Sequence, residues 1–137
     1  MPTAFIGLGS ILGDREEALR LALRKMGELS GTRVLKSSRF HETDPVGGPP
    51  QGKFLNAAAK LETGLDPHEL LHGLQKIEWE MGRPAAHEHW GPRIIDLDLL
   101  MYDDRVLQTP ELTLPHPRMQ ERPFVRIPLS EIAPELR

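Results

Sequence analysis

The chain has 137 residues and a net charge of −3, which suits one domain with its own core and offers no basic face for nucleic acid. It contains no cysteine, which excludes disulfides, thiolate metal sites and cysteine catalysis. No apolar run could span a membrane and nothing at the N-terminus resembles a signal peptide, so a soluble cytoplasmic protein without a membrane partner is expected.

Ala4–Leu8 is an apolar run that ends in Gly-Ser and reads as a strand entering a turn. Asp14 followed by Glu17 is a capping-box pattern that opens a helix. Leu19, Ala22, Leu23, Met26 and Leu29 give that helix its stripe, and Ser30-Gly31 stops it. Arg33–Thr43 alternates weakly and reads as one strand. Asp44–Lys53 is a Gly/Pro-rich loop, and Phe54–Glu62 is strand-like and pairs back onto the preceding segment.

The second helix is the best marked. Asp66 is its N-cap, Pro67 takes the first helical position and Glu69 completes the cap. Leu70, Leu71, Leu74, Ile77 and Met81 form its apolar stripe, and Gly82 ends it. A polar loop, Arg83–Arg93, leads to a strand over Ile94–Leu100. Val106 opens a partner strand, Leu112–Pro128 is punctuated by proline and mostly irregular, and Leu129–Ile132 makes a closing helical turn. The order strand, helix, strand, strand, helix, strand is the split β-α-β pattern of an α/β domain, a sheet with two helices on one face. No repeat or linker divides it, so residues 1–137 read as a single domain.

The chemistry concentrates on Asp96 and Asp98. Side chains alternate along a strand, so the two acids share a face with Cα atoms about 6.5–7 Å apart, close enough to share a metal. Carboxylates in so apolar a strand need compensation by a divalent cation or an arginine, and Arg93 stands just before them on a Gly-Pro turn. Acids for Mg²⁺ beside an arginine for phosphate are the equipment of phosphoryl transfer. Arg83 and Arg122 extend the candidate clamp, although each alone is more often a surface residue. Gln75 and Glu78 share a helix face beside the apolar stripe.

His116, in the stiff segment Leu114-Pro115-His116-Pro117, is placed to meet phosphate or carry a proton. Phe54 and Phe124 are either core residues or rings that sandwich a flat heterocycle, and Asn56, the chain's one asparagine, shares a strand face with Phe54 and could read the heterocycle's edge. Gly7-Leu8-Gly9-Ser10 lacks the spacing of a dinucleotide fingerprint and reads as a tight turn, or as backbone that approaches a ligand closely. His87-Glu88-His89 matches no common zinc spacing and reads as a solvated loop.

The stretch Trp90-Gly91-Pro92-Arg93-x-x-Asp96-Leu97-Asp98-Leu99-Leu100 closely resembles the signature of the 6-hydroxymethyl-7,8-dihydropterin pyrophosphokinase family. Leu8-Gly9-Ser10, Phe40-x-x-Thr43-x-Pro45, Phe54-Leu55-Asn56-Ala57-Ala58, Leu114-Pro115-His116-Pro117-x-Met119-x-x-Arg122-x-Phe124-Val125 and Pro128-Leu129-x-Glu131-Ile132-Ala133-Pro134 follow in the family's order.

The resemblance implies a ferredoxin-like βαββαβ sandwich, an antiparallel sheet with helices packed on it. It implies pyrophosphoryl transfer from ATP to the hydroxymethyl group of 6-hydroxymethyl-7,8-dihydropterin, with AMP leaving. Asp96 and Asp98 would hold two Mg²⁺ ions, and Arg83 and Arg93 would close over the phosphates as catalytic groups. ATP would also meet Gln75, Glu78, Trp90, Leu99, Thr113, His116 and Arg122. The pterin would lie between Phe54 and Phe124, read by Asn56 and by backbone around Thr43, Pro45 and Val46.

The chain departs from the family's habits at Ile11, Phe54, Ala85 and Glu111. The competing readings are a non-catalytic binding module on the same fold and another Mg²⁺-dependent nucleotidyl or phosphoryl transferase. A monomer is expected, since nothing marks an obligate interface.

Overall fold

The computed structural model describes residues 1–10, 14–43, 54–82, 95–117 and 119–133; of Thr43 and Gln120 the description covers the backbone. Strands β1 (Thr3–Ser10), β2 (Thr32–Ser37), β3 (His41–Thr43), β4 (Phe54–Thr63) and β5 (Asp96–Tyr102) form one sheet. Its order is β2-β4-β1-β5, with β3 also paired to β4, and every pairing is antiparallel. Helix α1 (Arg15–Gly27) follows β1 and α2 (Pro67–Glu80) follows β4, as the split β-α-β order requires.

Both helices start as their sequences dictate. The Asp14 carboxylate accepts the Glu17 N–H at 3.0 Å. At α2 the box is reciprocal: Asp66 accepts from Glu69 N–H at 2.8 Å and Glu69 accepts from Asp66 N–H at 2.9 Å. Leu19, Ala22 and Met26 of α1 and Leu70, Leu74 and Ile77 of α2 meet Ile6, Leu8, Ala57, Ala59, Leu61, Leu97 and Leu99 in the main core.

The opposite face of the sheet carries a third layer. Helix α3 (Pro123–Ile132) lays Val125, Leu129 and Ile132 on Phe5, Ala58 and Leu100. Full burial of each such side chain contributes roughly 1.5–3 kcal/mol. The register slips between Phe5 and Ile6, so that Leu100 and Met101 both serve this second cluster before Tyr102 returns to the first.

Several expectations need correction. The closing turn at Leu129–Ile132 is the end of the ten-residue α3, which runs through Pro128. Its apolar positions at 125, 128, 129 and 132 bury one stripe, and that burial outweighs the backbone hydrogen bond the proline ring forgoes. Helix α1 ends at Gly27, before Ser30-Gly31, though Gly31 does take the left-handed turn at φ 57°.

The single strand expected over Arg33–Thr43 is two strands, interrupted where Ser38 exchanges hydrogen bonds with Ala58 through its N–H and its hydroxyl. The segment after Val106 does not extend the acid-bearing strand as its partner. Strand β6 (Leu107–Gln108) pairs with β7 (Thr113–Leu114) in a separate two-stranded ribbon. Gly7 to Ser10 are strand residues of β1 rather than a turn. The acid-bearing strand begins at Asp96, and its expected first residue, Ile94, lies outside the described residues.

Candidate active site

Antiparallel pairing puts directly opposed residues on one face, so the register lists which side chains share a surface. One row runs across four strands: His41 of β3, Asn56 of β4, Gly9 of β1 and Asp96 of β5. The next row holds Ala58, Gly7 and Asp98. Both rows lie on the side that α3 covers, because Ala58 and Leu100 belong to the second core cluster.

Asp96 and Asp98 are therefore side by side on one face, as their spacing implies. Both are half-buried, while Leu97 and Leu99 between and beyond them point into the main core.

Glycine makes the floor between the acids and Asn56. A Cβ at Gly9 would stand 3.0 Å from Asn56 Oδ1, too close without a shift of the amide. Asn56 itself is buried at 5% exposure. The bare backbone of Gly9 thus lies between a carboxylate on one strand and a carboxamide on another.

Strand β5 lies at the sheet's edge, and two of its backbone groups find partners outside the sheet. Glu78 of α2, 6% exposed, accepts the Leu97 N–H at 2.8 Å. The His116 N–H donates to the Leu100 carbonyl at 2.8 Å. The strand that bears the acids is thereby held from both layers, and His116 is brought to their face. Burial pushes the His116 imidazole below its ordinary value, Asp98 opposes that shift, and the Arg122 cation adds to it.

Arg122 precedes α3, and its guanidinium carbon sits 5.7 Å from the centre of the Phe124 ring. Phe124 and Phe54 are both half-buried, Phe124 in the first turn of α3 and Phe54 at the start of β4.

The structure thus brings Asp96, Asp98, Asn56, His116, Arg122, Phe54 and Phe124 to one side of the sheet or its margin. It does not bring Leu99 there: that side chain is 3% exposed in the main core. Gln75 is exposed on α2, and Thr113 is half-buried in β7. Glu78 lies beneath β5 instead of beside an open groove. Arg83, Trp90, Arg93, Pro45 and Val46 lie outside the described residues, as do His87 and His89.

Among the described residues no group of three or more acidic, histidine or cysteine side chains could close around a metal. A pair of carboxylates suits Mg²⁺, which takes one or two protein acids and completes its octahedron with water and substrate phosphates. The sequence hinted at bare backbone near a ligand in Gly7-Leu8-Gly9-Ser10, but which glycine faces the acids follows only from the two neighbours of Gly9 across the sheet.

This is an α/β sandwich whose one sheet face carries a carboxylate pair at its edge. Residues 5–134 match the family described as "7,8-dihydro-6-hydroxymethylpterin-pyrophosphokinase (HPPK)". The chain is 46% identical over 133 residues to the 2-amino-4-hydroxy-6-hydroxymethyldihydropteridine pyrophosphokinase of Bacillus subtilis (strain 168), covering 97% of this chain and 79% of that one. It is 44% identical over 136 residues to the enzyme of the same name from Haemophilus influenzae, covering 99% and 84%.

Among solved structures, a crystal structure of an HPPK-DHPS in complex with substrates superposes with a TM-score of 0.74 at 13% identity, over 98% of this chain and 42% of that chain. The wild-type HPPK-DHPS of Plasmodium falciparum gives 0.72 at 14% identity, over 98% and 40%. These structural likenesses establish the fold. The chain belongs to the 7,8-dihydro-6-hydroxymethylpterin-pyrophosphokinase family.

Proposed function

We infer that the chain transfers the terminal pyrophosphoryl unit of ATP to the hydroxymethyl oxygen of 6-hydroxymethyl-7,8-dihydropterin in folate biosynthesis. A bond forms between that oxygen and the β-phosphorus. The bond from the β-phosphorus to the oxygen bridging the α-phosphorus breaks, and AMP leaves while the hydroxyl proton is lost. The observation that carries the reading is the Asp96–Gly9–Asn56 row, where a carboxylate and a carboxamide flank bare backbone on one sheet face. Family membership supplies the substrates.

Asp96 and Asp98 would hold the Mg²⁺, two ions on this reading. When bound, Mg²⁺ neutralises charge on the triphosphate and favours loss of the hydroxyl proton. Arg122 adds a fixed cation at the margin, and His116, held below its ordinary pKa by burial, contributes a ring that stays neutral near pH 7. Arg83 and Arg93 would close over the phosphates and exclude water.

The nucleotide would also meet Gln75, Trp90 and Thr113, and Leu99 through its backbone, its side chain being in the core, while Glu78, buried beneath β5, would serve it only by holding the Leu97 N–H. The pterin would stack between Phe54 and Phe124, with Asn56 and the backbone at Thr43, Pro45 and Val46 reading its edge. Positioning and charge stabilisation account for this chemistry, with no covalent nucleophile. A single catalytic domain acting as a monomer in the cytoplasm goes with this reading.

The test is incubation with ATP, Mg²⁺ and 6-hydroxymethyl-7,8-dihydropterin, followed by mass spectrometry. Pterin-dependent AMP in equal amount to the pterin diphosphate is the expected result. ATP turnover without the pterin would favour another transferase, and ligand binding without turnover would favour a binding module.

A further inference from the structure

The carboxylate of Glu131, in the last turn of α3, makes three polar contacts with Arg39 in the link between β2 and β3 and with His41 at the start of β3. Its Oε1 accepts the Arg39 backbone N–H at 3.0 Å. Its Oε2 faces His41 Nε2 at 2.5 Å and accepts the Arg39 guanidinium at 3.4 Å. One acidic side chain therefore ties α3 to the sheet margin through both of its oxygens.

What it ties together matters. β3 is three residues long and hangs on β4 outside the main run of the sheet. Its register partners on β4 are Asn56, opposite His41, and Phe54, opposite Thr43. The first turn of α3 carries Phe124. So short an edge strand sets its own position weakly, and an anchored end fixes it.

We propose that Glu131 is a positioning residue for the pterin pocket: it sets α3, with Phe124, against the β3–β4 margin, with Phe54 and Asn56, by clasping Arg39 and His41. The inference rests on the function proposed above. Glu131 touches neither substrate. Its removal acts on the spacing between the two walls of a flat pocket, and hence on pterin affinity.

The fold does not depend on it. The apolar stripe of α3 stays buried, and Ser38 still holds the β2–β3 link to Ala58. Arg15 of α1 holds the neighbouring Glu42 at 2.7 Å.

The experiment measures steady-state kinetics and melting temperature for wild type, E131A, E131Q, H41L and the E131A/H41L double variant. Wild type is read first, and absence of pterin-dependent AMP there would overturn the proposed function itself. With wild type active, E131A should raise KM for the pterin about tenfold and leave kcat and KM for ATP within about twofold. E131Q keeps an oxygen for the Arg39 N–H and should recover most of the loss. H41L should move pterin KM in the same direction, and the double variant should lose little more than E131A alone. Should E131A fail to fold, H41L and E131Q carry the same comparison. A fall in melting temperature with pterin KM unchanged, or equal losses for pterin and ATP, would overturn the proposal.

Discussion

The carboxylate of Glu78 accepts the backbone N–H of Leu97 at 2.8 Å, and Leu97 is the residue between Asp96 and Asp98. A buried acid of α2 thus fixes the peptide from which the two proposed metal ligands project. Replacing Glu78 by alanine removes a charged acceptor and leaves a buried N–H unmet, at a cost of about 1–3 kcal/mol. For a domain of this size that corresponds to a fall in Tm of about 3–15 °C. Turnover should fall at least about tenfold, because the acids lose their setting, and Glu78→Gln should restore part of both. Calorimetry together with an AMP assay checks this; an unchanged Tm and rate in Glu78→Ala would remove Glu78 from the support of the site.

Local rules made much of this fold legible. Asp66, Pro67 and Glu69 announced α2, because a capping box closes within four residues and needs nothing from elsewhere in the chain. The pairing of Asp96 with Asp98 on one face followed from strand period alone. What stayed hidden depends on partners distant in sequence. Pro128 reads as the end of an irregular segment until Phe5, Ala58 and Leu100 provide a surface for α3 to cover. Glu78 reads as a residue beside an apolar stripe until β5 lies over it, and Gly9 reads as a turn or as backbone near a ligand until Asn56 and Asp96 flank it. Glu131 reads as an ordinary acid of a closing turn, with nothing local to connect it to residues 39 and 41.

Asp98→Ala should abolish turnover while sparing the fold. The side chain is half-buried on the sheet face that α3 covers and supplies none of the core. As a proposed Mg²⁺ ligand it accounts for several kcal/mol of charge stabilisation, so the rate should drop by about a thousandfold or more. A chelator should silence wild type to the same degree, and added Mg²⁺ should restore wild type but not the variant. Substantial activity in Asp98→Ala with an unaltered melting curve would move the metal site elsewhere.

Gly9→Ala sets two effects against each other. Glycine inside a strand costs about 0.5–1 kcal/mol relative to alanine, which favours the substitution. The new Cβ, however, meets Asn56 Oδ1 at 3.0 Å, and Asn56 has little room to retreat. Pterin affinity should fall about tenfold while ATP affinity is kept. Gly7→Ala is the matched control, since its Cβ would make an ordinary 3.5 Å contact with Leu100 and both affinities should persist. Equal behaviour of the two variants in a pterin titration would show that the floor at Gly9 is not part of the pocket.

Phe124→Ala should weaken the pterin and spare ATP. Loss of one stacked ring costs about 1–3 kcal/mol, or about 5- to 150-fold in affinity. The ring also lies under the Arg122 guanidinium, 5.7 Å away, so a smaller secondary loss in ATP affinity would report that contact. Separate titrations with each substrate distinguish the two, and a pterin affinity equal to wild type would place the heterocycle against other residues.

Glu131 gives the fold a calculable acid sensitivity. Burial raises its carboxyl, but the Arg39 N–H and the His41 ring outweigh that and hold it below its ordinary value of 4.5. A carboxyl depressed in the fold binds fewer protons there than in the unfolded chain, so stability rises with pH across the interval between the two values. The contribution is therefore complete above about pH 4.5 and is lost as pH falls through the folded value. Glu131→Gln has no such proton to gain. Its melting temperature should lie below wild type at pH 6–7, and the gap should narrow as the pH drops below about 4.5. Thermal melts of both proteins from pH 7 to pH 3 measure that gap directly. A gap that stays constant over the whole range would mean that the charge on Glu131 contributes nothing to holding Arg39 and His41.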